Sequence, residues 1–151
     1  MTNSSLIYIK KDGKYLMLHR VKKKNDINHD KWIGIGGKFN EGESPEDCVR
    51  RETLEETGLI LGKVSYRGII TFVSGGDTEY MHLFTSSDFS GKLMESCDEG
   101  NPEWVDIPDV YSLPIWEGDK VFLKLIESDE TPFFSLKLIY EGDTLVQSIL
   151  Y

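Results

Sequence analysis

The sequence contains no apolar run near the roughly 20 residues that a membrane-spanning helix needs, so no membrane partner is expected. It has only two cysteines, Cys48 and Cys97, which make neither a disulfide framework nor a metal-ligand spacing. Reduced thiols in a cytoplasm are the expectation. The opening residues, MTNSSLIYIKK, lack a basic region followed by an apolar core and are not a secretory signal. There is no basic excess: the net charge is −9, which argues against a nucleic-acid polymer as partner. Repeats, low-complexity tracts and linkers are missing too, so the 151 residues are expected to form one domain, 1–151. No Ser-His-Asp or Cys-His arrangement points to a covalent route. His19, His29 and His82 are scattered and read as structural or solvent-facing.

What remains is a globular composition, 39% hydrophobic and 28% charged. Its charge is uneven. Residues 10–38 hold nine Lys or Arg against three Asp, a local +6, which leaves about −15 for the rest. Arg20, Lys22, Lys23, Lys24 and Lys38 could form a basic lip for phosphates, although Lys22 to Lys24 read better as a solvated loop. Strands are expected at Leu6–Ile9 and Tyr15–His19 around an Asp12-Gly13 turn, and at Val64–Val73 and Glu79–Thr85 around Ser74 to Asp77. Val21 to Lys31 reads as a polar, mobile loop. A short strand is expected near Gly91-Lys92-Leu93, and another at Trp104–Ile107, ended by Pro108. Trp116–Glu127 has helical spacing, and Phe133–Tyr140 with Thr144–Leu150 reads as a closing hairpin. Strands and helices mix without βαβ regularity, which predicts an α+β protein with helices on a mixed sheet.

The most informative stretch is Gly37 to Leu59, GKFNEGESPEDCVRRETLEETGL. Ser44 is the predicted N-cap, with Pro45 at the first helical position, Asp47 completing a capping-box variant, and Gly58 as the stop. On that helix Glu52, Glu55 and Glu56 share one face. Like charges so placed repel by roughly 0.2–0.5 kcal/mol per pair, and burial costs more unless a cation lies among them. Oxygen-only donors suit Mg²⁺ or Mn²⁺. Gly34, Gly36, Gly37 and Gly42 precede the helix and allow close approach of the backbone to a ligand.

Gly37, Glu43, Arg51, Glu52, Glu55, Glu56, Gly58 and Leu59 fall at the spacing of the Nudix box, and the chain resembles the Nudix hydrolases. One departure is Thr53, where an aliphatic residue is expected. The resemblance implies the Nudix fold, an α/β/α sandwich with a mixed β-sheet between helices. It also implies hydrolysis of a nucleoside diphosphate linked to a further group, by attack of water at phosphorus. Glu55 and Glu56 would be the main metal ligands, with the carbonyl of Gly37. Glu52 would bind metal or orient the water, and Arg51 would hold the cluster through Glu43 or Glu55. Glu99 is the favoured distant carboxylate, as base or extra ligand, with Glu103 a weaker candidate.

Past the box, Glu99, Pro102, Trp104, Trp116 to Asp119 and Asp143 to Leu145 resemble MutT-related enzymes that clear oxidised purine nucleoside triphosphates such as 8-oxo-dGTP. By that resemblance Trp116 stacks on the base and Asp119 reads the purine edge; Lys38 and Arg20, from the basic lip, would meet phosphates. Core packing is the competing role for Trp116, and the expected one for Phe72 and Met81. Gly118 stands where those relatives carry an acid, and Ile33 where they carry an Asn, so preference for 8-oxo-guanine is open. Two alternatives remain: another diphosphate substrate (ADP-ribose, a nucleotide sugar or a dinucleoside polyphosphate), or a nucleotide-binding sensor. The partner is a nucleotide, and the protein a monomer or homodimer.

Overall fold

The computed structural model describes residues 1–22 and 25–151. Lys23 and Lys24 of the expected basic lip lie outside the described residues. Asp12 and Gly13 both take positive φ, 52° and 74°, as a two-residue hairpin turn requires. They join β1 (Thr2–Lys11) to β2 (Lys14–His19). These strands pair only beside the turn, at Lys10↔Tyr15 and Lys11↔Lys14. Beyond it they part. The far end of β2 pairs with β3 (Trp32–Ile33), and the first half of β1 pairs with β4 (Ile35–Lys38). The sheet therefore forks, with the glycine-rich segment in the fork.

The chain continues through α1 (Pro45–Thr57), β5 (Ile60–Leu61), β6 (Ser65–Ser74), β7 (Asp77–Ser86), β8 (Phe89–Ser90) and β9 (Asn101–Asp106). It ends with α2 (Ile107–Val110), α3 (Glu117–Ile126), β10 (Phe134–Glu141) and β11 (Thr144–Leu150). The main sheet runs β11-β10-β6-β7-β1-β2-β3, with β4 on β1 and β9 on β2. The β1–β7 and β6–β10 pairs are parallel and the other pairs antiparallel, so the sheet is mixed.

Strand alternation divides the core in two. Tyr8, Tyr15, Met17 and Leu83 face one side, where Phe122, Leu123 and Ile126 of α3 cover them. Ile7, Ile9, Leu16, Leu18 and Phe84 face the other, covered by Val49 of α1. Helices lie on both faces, as an α/β/α sandwich requires. Among the described residues no helix is long and apolar enough to cross a membrane.

Three local expectations are corrected. The short strand expected at Gly91–Leu93 lies at Phe89–Ser90, because Gly91 takes φ 98° and ends it. The strand expected at Trp104–Ile107 is Asn101–Asp106 and contains Pro102; among the described residues β9 pairs only with β2, and an edge strand tolerates a proline. Pro108 does not end the strand, which stops at Asp106; it is the second residue of the single turn of α2, Ile107–Val110.

Candidate active site

The acidic helix begins as its sequence requires. Ser44 Oγ accepts from the Asp47 N–H at 3.0 Å, and Asp47 Oδ2 accepts from the Ser44 N–H at 3.1 Å. Gly58 ends it in the left-handed conformation at φ 78°, donating to the Leu54 carbonyl. Thr53 is fully buried and its hydroxyl has no hydrogen-bond partner among the described residues. Such a group costs about 1–3 kcal/mol, a local cost of the departure at this position.

Arg51 organises the carboxylates. Its Nε and Nη2 donate to the two oxygens of Glu43 at 2.7 and 2.9 Å. Nη1 donates to Glu52 at 2.7 Å and to Glu55 at 3.2 Å, and Nη2 also reaches the Lys38 carbonyl at 3.0 Å. Arg51 thus grips three acids, where one of two was expected. The guanidinium and the Asn40 N–H hold the Glu43 carboxyl down to about 2. Glu55, gripped from the helix surface, is 59% exposed.

Glu56 is the opposite case. It is buried, Oε2 faces the Gly36 N–H at 3.4 Å, and Oε1 has no hydrogen-bond partner among the described residues. Burial, then Glu99, then Glu52 push its carboxyl up to about 9. Gly37 makes this crowding possible: a Cβ there would lie 2.5 Å from the Glu52 carboxyl carbon. Among the described residues no three acidic, histidine or cysteine groups form a ready-made coordination sphere, since Arg51 draws Glu52 and Glu55 to itself. The donor chemistry nevertheless fits a hard divalent cation: an orphaned buried oxygen on Glu56, with Glu52 and Glu99 near enough to raise its proton affinity.

A cleft of about 590 Å³ opens at the fork and is lined by Gly36, Gly37, Lys38, Glu52, Arg20 and Glu99. Phe72, Met81, Ile33, Trp116 and Asp119 line the same cleft. Glu55, Glu56 and Arg51 are not among its walls, and neither is Glu103. Arg20 bridges Asp26 at 2.5 Å and Glu99 at 3.2 Å. Lys22 donates instead to the Cys97 carbonyl at 2.7 Å.

Trp116 is the N-cap residue of α3 and only 5% exposed. Its ring meets Phe72 and Tyr140 edge to face, with centroids 5.7 and 5.1 Å away. Its Nε1–H donates to Asn28 Oδ1 at 2.7 Å, and Lys31 Nζ lies 4.7 Å from the ring centroid. Burial pushes the Asp119 carboxyl up to about 8, against the pull of Lys31. Gly118 has a packing reason: its N–H donates to the Tyr140 hydroxyl at 2.7 Å, and a Cβ would lie 2.6 Å from Tyr140 Oη and Leu138 Cδ1. A longer residue there would have to push the ends of the Tyr140 and Leu138 side chains aside.

Sequence reasoning missed Asp26, Asn28 and Glu79 in this cleft. The first two sit in what reads as a featureless polar loop, and nothing local in the sequence ties them to Trp116 or Arg20. Phe72 and Met81, expected in the core, pack against it and also line the cleft. The histidines lie elsewhere: His19 stacks on Trp32 at 4.3 Å, and His82 bonds to Tyr66 and Asn3.

Residues 2–126 match the NUDIX domain model. The chain is 38% identical over 106 residues to an oxidized purine nucleoside triphosphate hydrolase of Danio rerio, a match covering 69% of this chain and 67% of the relative. A Mus musculus protein of the same description is 34% identical over the same shares. A crystal structure of a MutT protein from Bacillus halodurans superposes with a TM-score of 0.89 over 99% of this chain and 97% of that one, at 23% identity, and bears on the fold alone.

Proposed function

The chain belongs to the Nudix hydrolases, and from that premise we propose that it hydrolyses a purine nucleoside triphosphate, in particular an oxidised one such as 8-oxo-dGTP. The products are the nucleoside monophosphate and pyrophosphate, and the cofactor is Mg²⁺, with Mn²⁺ able to replace it. The observation that carries this reading is one cleft that joins acids beside a glycine loop to an aromatic wall with a buried acid. Glu55, Glu56 and the Gly37 carbonyl would hold the ion, with Glu52 and Glu99 as further ligands. When bound, the ion neutralises polyphosphate, polarises a P–O bond and lowers the pKa of a coordinated water.

The chain's own groups supply the rest. Arg51 fixes Glu52 and Glu55, which carry the negative charge that the cation balances. Glu52 or Glu99 takes the proton of the attacking water, and the bond between the first and second phosphoryl groups breaks. Lys38 and Arg20 meet the phosphate oxygens. Trp116 provides the base wall, and a base stacking on the face beneath Lys31 displaces that ammonium. Asp119, protonated at neutral pH, offers both a donor and an acceptor to the purine edge.

The test is a panel of nucleoside triphosphates, oxidised and ordinary, with ADP-ribose, a nucleotide sugar and a dinucleoside polyphosphate, all with Mg²⁺. Pyrophosphate release, fastest for an oxidised purine triphosphate, supports the reading; turnover confined to the other diphosphates refutes it. Glu56→Gln should lower kcat by orders of magnitude with an unchanged circular dichroism spectrum. Near-normal turnover would remove Glu56 from the ligand set.

A further inference from the structure

Glu79 is an acid in the cleft that neither the metal-binding cluster nor the purine-reading pair uses. It stands near the start of β7, directly across from Phe72 on β6, and two residues before Met81, so all three share the cleft wall. The Ser4 hydroxyl, 5% exposed on β1, donates to Glu79 Oε2 at 2.6 Å and fixes the carboxylate. Oε1 takes no hydrogen bond or ion pair from the described residues and is left for a ligand.

A carboxylate is a poor neighbour for a polyphosphate, because like charges repel across a cleft of low dielectric. Its place beside Phe72 and Met81 instead suits the uncharged end of a nucleotide. There it accepts from an O–H or N–H group, and charge-assisted acceptance of this kind discriminates strongly against a ligand lacking the donor. We propose that Glu79, oriented by Ser4, is a specificity-determining residue that accepts a hydrogen bond from a donor on the nucleoside, either the 2′-hydroxyl of a ribose or an exocyclic amine. The proposal rests on the reading of the cleft as a nucleotide site and adds a contact to it.

The test measures binding of product-like monophosphates, so it does not depend on turnover. Dissociation constants of GMP, dGMP, IMP and AMP are compared for the wild type, Glu79→Met and Glu79→Gln by calorimetry. In the wild type, removal of the recognised donor should weaken binding by about 10- to 100-fold. A GMP-over-dGMP preference that collapses in Glu79→Met identifies the sugar hydroxyl. A GMP- or AMP-over-IMP preference that collapses identifies the amine. Glu79→Gln should keep an intermediate preference, since its amide oxygen still accepts. If Glu79 acts only through its charge, Glu79→Met tightens all four ligands equally and no ratio changes, which overturns the proposal. Failure of the wild type to hydrolyse any nucleoside triphosphate would count against the proposed function, while the binding ratios would still decide the role of Glu79.

Discussion

Replacing Asp119 by Asn should remove a pH dependence of stability that its burial creates. In the folded protein the Asp119 carboxyl is pushed from its ordinary 3.8 up to about 8 by burial, with Lys31 opposing. Between those values the folded state holds a proton that the unfolded state has released. Stability therefore falls as pH rises through this window and is flat on either side for this group. One proton corresponds to about 1.4 kcal/mol per pH unit, and the whole interval of roughly four units to an upper limit of about 6 kcal/mol. Asparagine has nearly the same shape and no proton to exchange. Urea unfolding of both proteins at several pH values from 5 to 7.5 checks this. Groups that titrate in both, Glu56 included, cancel in the difference. With an m-value near 2 kcal/mol/M, the wild-type midpoint should fall relative to Asp119→Asn by about 0.7 M urea per pH unit. Parallel midpoints would mean that Asp119 is ionised at neutral pH, and the account of it as a hydrogen-bond donor would fail.

Two further substitutions probe the two ends of the cleft. Gly37→Ala would place a methyl 2.5 Å from the Glu52 carboxyl carbon, so the carboxylate must swing away. Turnover should fall at least 100-fold with a small change in Tm, and normal turnover would show that Glu52 need not sit where it does. Trp116→Ala should raise KM by about 10- to 100-fold, as loss of a base stack worth roughly 1–3 kcal/mol implies. It should also cost about 3 kcal/mol of stability, because the ring is nearly buried against Phe72 and Tyr140. An unchanged KM would leave Trp116 a core residue.

How legible the site is in the sequence depends on whether its parts are local. The capped helix and its glycine stop are set by residues three or four apart, and both were readable; its acids do not share one environment, since Glu56 is buried while Glu55 is 59% exposed. The hairpin at Asp12-Gly13, where turn chemistry fixes the backbone, was readable too. The fork between β1 and β2 was not, because their separation depends on pairing with β4 and β3 far along the chain. Asn28 bonds to Trp116 across 88 positions, and Ser4 to Glu79 across 75. Contacts of that kind have no periodicity to betray them. Gly118 reads as a missing acid in the sequence. In the structure it packs closely against the side-chain ends of Tyr140 and Leu138, a contact visible only once α3 lies on β10.

Two buried carboxyls, Glu56 and Asp119, are both held at high proton affinity, and the difference in their surroundings separates their roles. Around Glu56 the raising influences after burial are two more carboxylates, Glu99 and Glu52. A divalent cation would relieve all three at once. Around Asp119 burial acts almost alone, and the one opposing influence is a single ammonium, Lys31. There burial, and not neighbouring carboxylates, is what raises the proton affinity, so a cation has no cluster of charge to relieve. Raising magnesium should therefore shift the acidity of the Glu56 end strongly and leave the Asp119 slope unchanged. A magnesium-dependent change in the wild-type-minus-Asn difference would mean that the two ends of the cleft are one electrostatic unit, contrary to the separation argued from their neighbours.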